Sequence, residues 1–288
     1  MRTTVVAALA GALLALAAPG ASGHPTPSAR TAGLQPTPAA RPARTTPLHH
    51  TLVRHGGAAT AGRTNAVDSL NWSGYVDPAA AGQLVTAVSG RWVVPAAQLS
   101  PPGMSAAWAG IGGFNTPDLL QAGTTSNSAV FGAPQYYAWY ELLPDSETLI
   151  TGCSRDPNCT VNPGDSVAVQ INSLGGSRWH IDISDDGHWS WSSVVTYHSS
   201  GASAEWILEA PSVLVGPTLL ANVGSMIFDG DNRYRLDGRP RTMAQGNRVA
   251  IRLSFGGVIP TAAPSAIDAE GDGFRACSYG ASCPPLNS

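Results

Sequence analysis

Two of the five glutamates in this 288-residue chain, Glu205 and Glu209, bracket the run Ser203-Ala-Glu-Trp-Ile-Leu-Glu-Ala-Pro211. In a strand, successive side chains alternate between faces, so residues 205, 207 and 209 share one face while Trp206 and Leu208 point the other way. Apolar residues on both sides, joined by two acids, describe the floor of a cleft better than a solvated sheet. A carboxyl group in such a cleft can do acid–base work, taking a proton from water and returning it to a leaving group. The two acids are not the close pair of a retaining glycosidase. That chemistry needs carboxyls about 5–5.5 Å apart, whereas positions i and i+4 of a strand lie about 13–14 Å apart. On spacing alone, the ordinary alternative is a sheet strand with two solvated acids.

The elements that must position these acids are strands. Val167, Val169 and Ile171 alternate with Ala168 and Gln170, and Trp179, Ile181 and Ile183 alternate with His180, Asp182 and Ser184. Asp185-Asp-Gly187 then reads as a hairpin turn into His188–Tyr197, and Asp229-Gly230 and Asp237-Gly238 punctuate later segments in the same way. No amphipathic helix is evident. About 220 residues of short strands and frequent turns predict a single all-β domain, a sandwich or barrel.

Further segments carry a resemblance. Ala204-Glu205-Trp206-Ile207 with Glu209, Ala107-Trp108-Ala-Gly110-Ile111-Gly112, and Leu119-Leu120-Gln121-Ala-Gly123 occur together with Asn71-Trp72-Ser73-Gly74-Tyr75. Val88-Ser-Gly90-Arg-Trp92-Val-Val-Pro95, Tyr137-Ala-Trp139-Tyr-Glu141 and Pro163-Gly164-Asp165-Ser166 complete the set. In this order the segments resemble the glutamic peptidases, the eqolisin family, over roughly residues 70–210. The resemblance implies two large antiparallel sheets packed face to face, concanavalin A-like, with a cleft on the concave side. It implies hydrolysis of polypeptides by a Gln/Glu dyad, without metal or cofactor. Glu205, directly before Trp-Ile, takes the base/acid role; Gln121 takes the oxyanion and water-positioning role. Glu209 is the rival for the acid, and Trp108, Trp139 and Glu141 line the cleft. Two departures bear on substrate preference. Gly112 stands where fungal members tend to carry an acid, and Tyr140-Glu141-Leu142-Leu143-Pro144 lacks two aromatics of the family pattern.

A glutamate suits that role near its own pKa of about 4.3, where both forms are populated, so activity is expected in acid. Rival chemistries lack their motifs. Gly164-Asp165-Ser166 is followed by Val167, no Gly-x-Ser-x-Gly occurs, and neither paired Asp-Thr/Ser-Gly nor His-Glu-x-x-His is present. The alternative from another class is a lectin-like sandwich that binds or cleaves carbohydrate. Asp229-Gly-Asp231-Asn232 lacks the spacing of a calcium loop and reads as a turn.

Residues 1–23 read as a secretory signal, with Arg2, the apolar run Val5–Ala18 and the small-residue exit Ala21-Ser-Gly23. The chain is expected to be secreted, without a membrane anchor, and monomeric. Residues 24–67 hold five arginines, four of the seven histidines and no acid, and their Pro-rich composition predicts a disordered or removed pro-segment. From Asp68 onward, ten arginines face nineteen acids, a net charge of −9. The expected body is therefore 68–288, and the basic segment is expected to cover its acidic cleft near neutrality and loosen as carboxylates protonate. Low charge content (12%) and an acidic body argue against nucleic acid. Cys153/Cys159 and Cys277/Cys283 predict two local disulfides, with cross-pairing open among three connectivities. Zinc is disfavoured, because the cysteine spacing is wide and no histidine pair lies near. Loops this short contribute roughly 2 kcal/mol each.

Overall fold

The computed structural model describes residues 48–53, 66–128 and 133–287. Strands appear as β1 (Ala66–Ser69), β2 (Trp72–Pro78), β3 (Val85–Val93), β4 (Ala106–Gly112), β5 (Leu119–Asn127), β6 (Gln135–Leu142) and β7 (Thr148–Leu149). They continue as β8 (Ser166–Gly175), β9 (Arg178–Asp185), β10 (Trp189–Thr196), β11 (Ser203–Glu209), β12 (Ser212–Val213) and β13 (Gly216–Pro217). The last are β14 (Ser225–Phe228), β15 (Arg233–Leu236), β16 (Arg239–Thr242), β17 (Val249–Phe255), β18 (Ile259–Pro264) and β19 (Phe274–Ser278). A 3-10 turn at Met243–Gln245 is the one helical element among the described residues.

Pairing sorts these strands into two layers. The first runs β7-β6-β5-β4-β11-β2-β17, with β1 parallel to β17 at its end. The second runs β18-β19-β14-β3-β8-β9-β10, with the β15–β16 hairpin also on β3. The β17–β18 turn joins them. Alternation decides what lies between. Val169, Ile171 and Ile181 point inward from the second layer to meet Ala107, Ala109, Ile111, Trp206 and Leu208 from the first. The result is the predicted all-β sandwich.

The predicted hairpin forms: Trp189 pairs with Asp185 across Gly187, which takes φ +78°. Both predicted local disulfides, Cys153–Cys159 and Cys277–Cys283, are present, with Cα separations of 5.4 and 5.7 Å. The expected signal, residues 24–47 and residues 54–65 lie outside the described residues. Two features differ from expectation at the N-terminal side. β1 begins at Ala66, ahead of the expected boundary at 68, because its edge pairs with Ala250–Leu253. Residues 48–53, expected to be part of a disordered segment, lie on the outer face of the first layer, Leu52 packing against its apolar cluster.

Candidate active site

Side chains paired across neighbouring strands project to the same face. Three such rows cross β2, β11, β4, β5 and β6 on the outer face of the first layer. The first is Val76, Glu205, Gly110, Gln121 and Glu141; the second is Gly74, Ile207, Trp108, Gly123 and Trp139. The third is Trp72, Glu209, Ala106, Thr125 and Tyr137. All six predicted cleft residues, Trp108, Gln121, Trp139, Glu141, Glu205 and Glu209, therefore share this face.

The Trp108 main chain approaches β5 closely because Gly123 carries no side chain, and its ring reaches over Gly110, where a Cβ would lie 3.0 Å from the indole. A Cβ on Gly123 would fall 2.2 Å from the Ala107 carbonyl oxygen and 2.6 Å from Trp108 Cβ. The indole Nε1 donates to Glu209 Oε2 at 2.7 Å. Asn71 Nδ2 donates to Glu209 Oε1 at 3.0 Å. Complete burial pushes the Glu209 pKa well up, and the bonds from Trp108 and Asn71 oppose that shift.

Gln121 Nε2 donates to Glu141 Oε2 at 2.6 Å, which fixes the amide, while Gln121 Oε1 makes no hydrogen bond among the described residues. Burial lifts Glu141 to about 7, against the influence of His50 and the Gln121 bond and with a contribution from Glu209. Glu205 is differently placed. Gly110 stands between it and Gln121, and neither carboxyl oxygen meets a hydrogen-bond partner among the described residues. Its burial is complete, and the adjacent Asp118 and Asp77 add to the upward push on its pKa, offset only in part by the Ser203 hydroxyl. The structure thus gathers Gln121, Trp108, Trp139, Glu141 and Glu209 into one polar constellation and leaves Glu205 outside it.

An acid lies beside Gly112. Gly112 takes φ +91°, and a Cβ built on it would lie 2.6 Å from the Asp118 carbonyl oxygen and 3.0 Å from Asp118 Oδ2. The Asp118 carboxylate occupies that direction, held by the Ser200 amide at 2.6 Å.

What joins the constellation is a residue that sequence reasoning did not single out. His50 is fully buried, its ring stacked on Trp139 at 3.9 Å and 4°. Its Nδ1 lies 3.0 Å from Glu209 Oε2, and its Nε2 lies 3.2 Å from Glu147 Oε2. Its backbone N–H donates to Glu141 Oε2 at 3.2 Å, and its carbonyl accepts from Gln121 Nε2 at 3.4 Å. Burial and the charge of Glu209 raise Glu147 to about 8. The signal for this role was present in the sequence: Leu48, Leu52 and Val53 surround two histidines inside an otherwise Pro-, Ala-, Thr- and Arg-rich segment. Glu147 and Asn71 carried no comparable signal as partners of the site.

The model of the peptidase A4 family matches residues 70–266, which include every residue of the cleft floor. The chain belongs to that family. It is a glutamic-type endopeptidase. Its fold is similar to that of scytalido-glutamic peptidase with a transition state analog inhibitor, at 17% identity and a TM-score of 0.55, covering 73% of this chain and 98% of that one. It is likewise similar to SCP-B, a member of the eqolisin family of peptidases, in a complex with the tripeptide Ala-Ile-His. There the identity is 16% and the TM-score 0.54, with the same coverage of 73% and 98%. No curated protein matches this peptidase in sequence. Among the described residues, two side-chain groups have metal-compatible spacing, Asp165/Asp185/His188 and Asp229/Asp268/Asp272, and neither contains a cleft residue.

Proposed function

We propose that this peptidase is a secreted acid endopeptidase in which Glu209, not Glu205, pairs with Gln121. The observation that carries this reading is the single residue His50, whose backbone carbonyl meets Gln121 while Glu209 lies within 3.0 Å of its side chain. A peptide in the cleft is thus touched by both groups at once. Glu205, behind Gly110, has only the Ser203 hydroxyl to favour its ionised form, against complete burial and the charges of Asp118 and Asp77.

In this mechanism the Glu209 carboxylate accepts a proton from water, and the resulting hydroxide adds to the scissile carbonyl. Gln121 Nε2 donates to the developing oxyanion, a contribution worth on the order of 10²–10³ in rate. Glu209 then returns the proton to the leaving amine as the carbon–nitrogen bond breaks. Glu141 holds the Gln121 amide in the orientation that presents Nε2. Export is supported by the leader-like residues 2–23 and by the two disulfides. The basic segment before Ala66 acts as an inhibitor in cis, since residues 48–53 overlie the dyad.

The test is hydrolysis of a denatured protein across pH 2–8 by the wild type and by Glu209→Gln, Gln121→Ala and Glu205→Gln. Glu209→Gln and Gln121→Ala lose at least about 10² in kcat/KM, whereas Glu205→Gln, once confirmed folded by circular dichroism, retains activity. An inactive, folded Glu205→Gln beside an active Glu209→Gln would return the catalytic role to the residue directly before Trp206.

A further inference from the structure

Residues 48–53 lie in the cleft in the posture of a bound peptide. His49 exchanges both backbone hydrogen bonds with Ser212, at 3.0 and 2.8 Å. On the other side of His50, the Thr51 carbonyl accepts from Asn71 Nδ2 at 2.8 Å, and the Val53 amide donates to Asn71 Oδ1 at 2.8 Å. The Val53 carbonyl accepts from the Leu70 amide at 2.8 Å. Main-chain pairing on both flanks is how extended peptides are gripped at a sheet. It leaves the peptide bond between His50 and Thr51 centred on the site, with the His50 carbonyl against Gln121.

A peptide held this way would ordinarily be cut. The imidazole stands in the path. Glu209 Oε1 is engaged by Asn71, and Oε2 by both Trp108 Nε1 and His50 Nδ1. The ring lies flat on Trp139, and its far nitrogen is anchored by Glu147. The imidazole therefore occupies the position at Glu209 from which water would attack.

We infer that residues 48–53 are a built-in, uncleavable substrate mimic, in which the His50 imidazole replaces the attacking water. This inference rests on the Gln121/Glu209 reading given above. Its consequence is that deleting the imidazole converts the inhibitor into a substrate. With alanine at position 50 the carbonyl still meets Gln121, and water takes the place of the ring beside Glu209. That water adds its oxygen to the carbonyl carbon of residue 50, and the bond to the Thr51 nitrogen breaks. The proton passes through Glu209 to the new amine, leaving a carboxyl terminus at residue 50 and a free amino group on Thr51.

The experiment incubates the full chain across pH 3–7 as wild type, His50→Ala, His49→Ala and the double variant His50→Ala/Glu209→Gln. Fragments are read by intact mass and N-terminal sequencing, and the same samples are assayed on an added denatured protein. His50→Ala accumulates a fragment beginning at Thr51, and the wild type, His49→Ala and the double variant do not. Wild-type chain cut at this bond overturns the inference. So does a His50→Ala chain that hydrolyses the added protein but stays intact between 50 and 51. A folded His50→Ala chain inactive on both substrates overturns the dyad reading, and this inference with it.

Discussion

Glu205 and Glu209 are the same residue type on the same face of one strand, and their surroundings separate them. Glu209 receives donors from Trp108 and Asn71, groups that favour its ionised form against the cost of burial. Glu205 has Asp118 and Asp77 as electrostatic neighbours, which oppose ionisation. The proposed mechanism takes as its base the acid in the first environment, Glu209. Trp108→Phe tests this, since it keeps an aromatic ring in the cleft and removes the indole donor along with part of the ring volume. Losing a donor to the charged form raises the Glu209 pKa, so the acid limb of the pH profile moves to higher pH. A hydrogen bond to a charged group is worth about 1.5–3 kcal/mol, so kcat/KM falls by roughly 10–10². The check is kcat/KM against pH for both proteins. An unmoved acid limb would remove Glu209 as the titrating group.

At the scale of the strands, the site depends on how closely β4 and β5 approach. Gly123→Ala forces a Cβ to 2.2 Å from the Ala107 carbonyl oxygen in the middle of a fully buried pair. Overpacking of this kind costs about 3 kcal/mol, which lowers the melting temperature by roughly 6–12 °C in a domain of this size. Calorimetry of the purified variant measures it, and an unchanged melting temperature would mean the two strands separate freely here. Period-2 alternation made β8, β9 and the Asp-Gly turn before β10 legible in the sequence, because one face of each is buried and the other is wet. The site face of β11 was legible for a different reason, because two acids stand on one face of a strand that is buried throughout. Which of Glu205 and Glu209 carries the polar partners was not, because two residues of equal type and equal facing differ only in partners brought from β4 and from Asn71. His50 was hidden by its surroundings. Composition averaged over residues 24–67 reads as uncompacted chain, and that average masks the contrary pattern of Leu48, Leu52 and Val53 around two histidines.

For the molecule as a whole, buried carboxyls set how stability depends on pH. Asp77, Glu141, Glu147, Glu205 and Glu209 are all buried carboxyls with pKa values above the usual range, Asp77 and Glu141 at about 7 and Glu147 at about 8. A carboxyl whose folded pKa exceeds its unfolded one keeps its proton longer in the folded state. Its stabilising contribution is complete below the unfolded value near 4 and is lost as pH rises through the folded value. The melting temperature is therefore highest near pH 4 and declines toward pH 8. The net charge of −9 from Asp68 onward also grows with pH and adds general repulsion, so the decline alone does not identify its cause. Asp77 separates the two contributions. It faces Ala204 on the side opposite Glu205, its pKa is raised by burial against the nearby Arg248, and it belongs to none of the groups around His50. A shift from 3.8 to about 7 corresponds to on the order of 4 kcal/mol at pH 8, at about 1.4 kcal/mol per unit. Asp77→Asn removes that titration while changing the surface charge little. The variant and wild type have similar melting temperatures relative to their own maxima at pH 3.5. At pH 8 the variant retains on the order of 10 °C more of its maximum. Melting curves that decline in parallel from pH 3.5 to pH 8 would assign the loss to general repulsion rather than to this buried carboxyl.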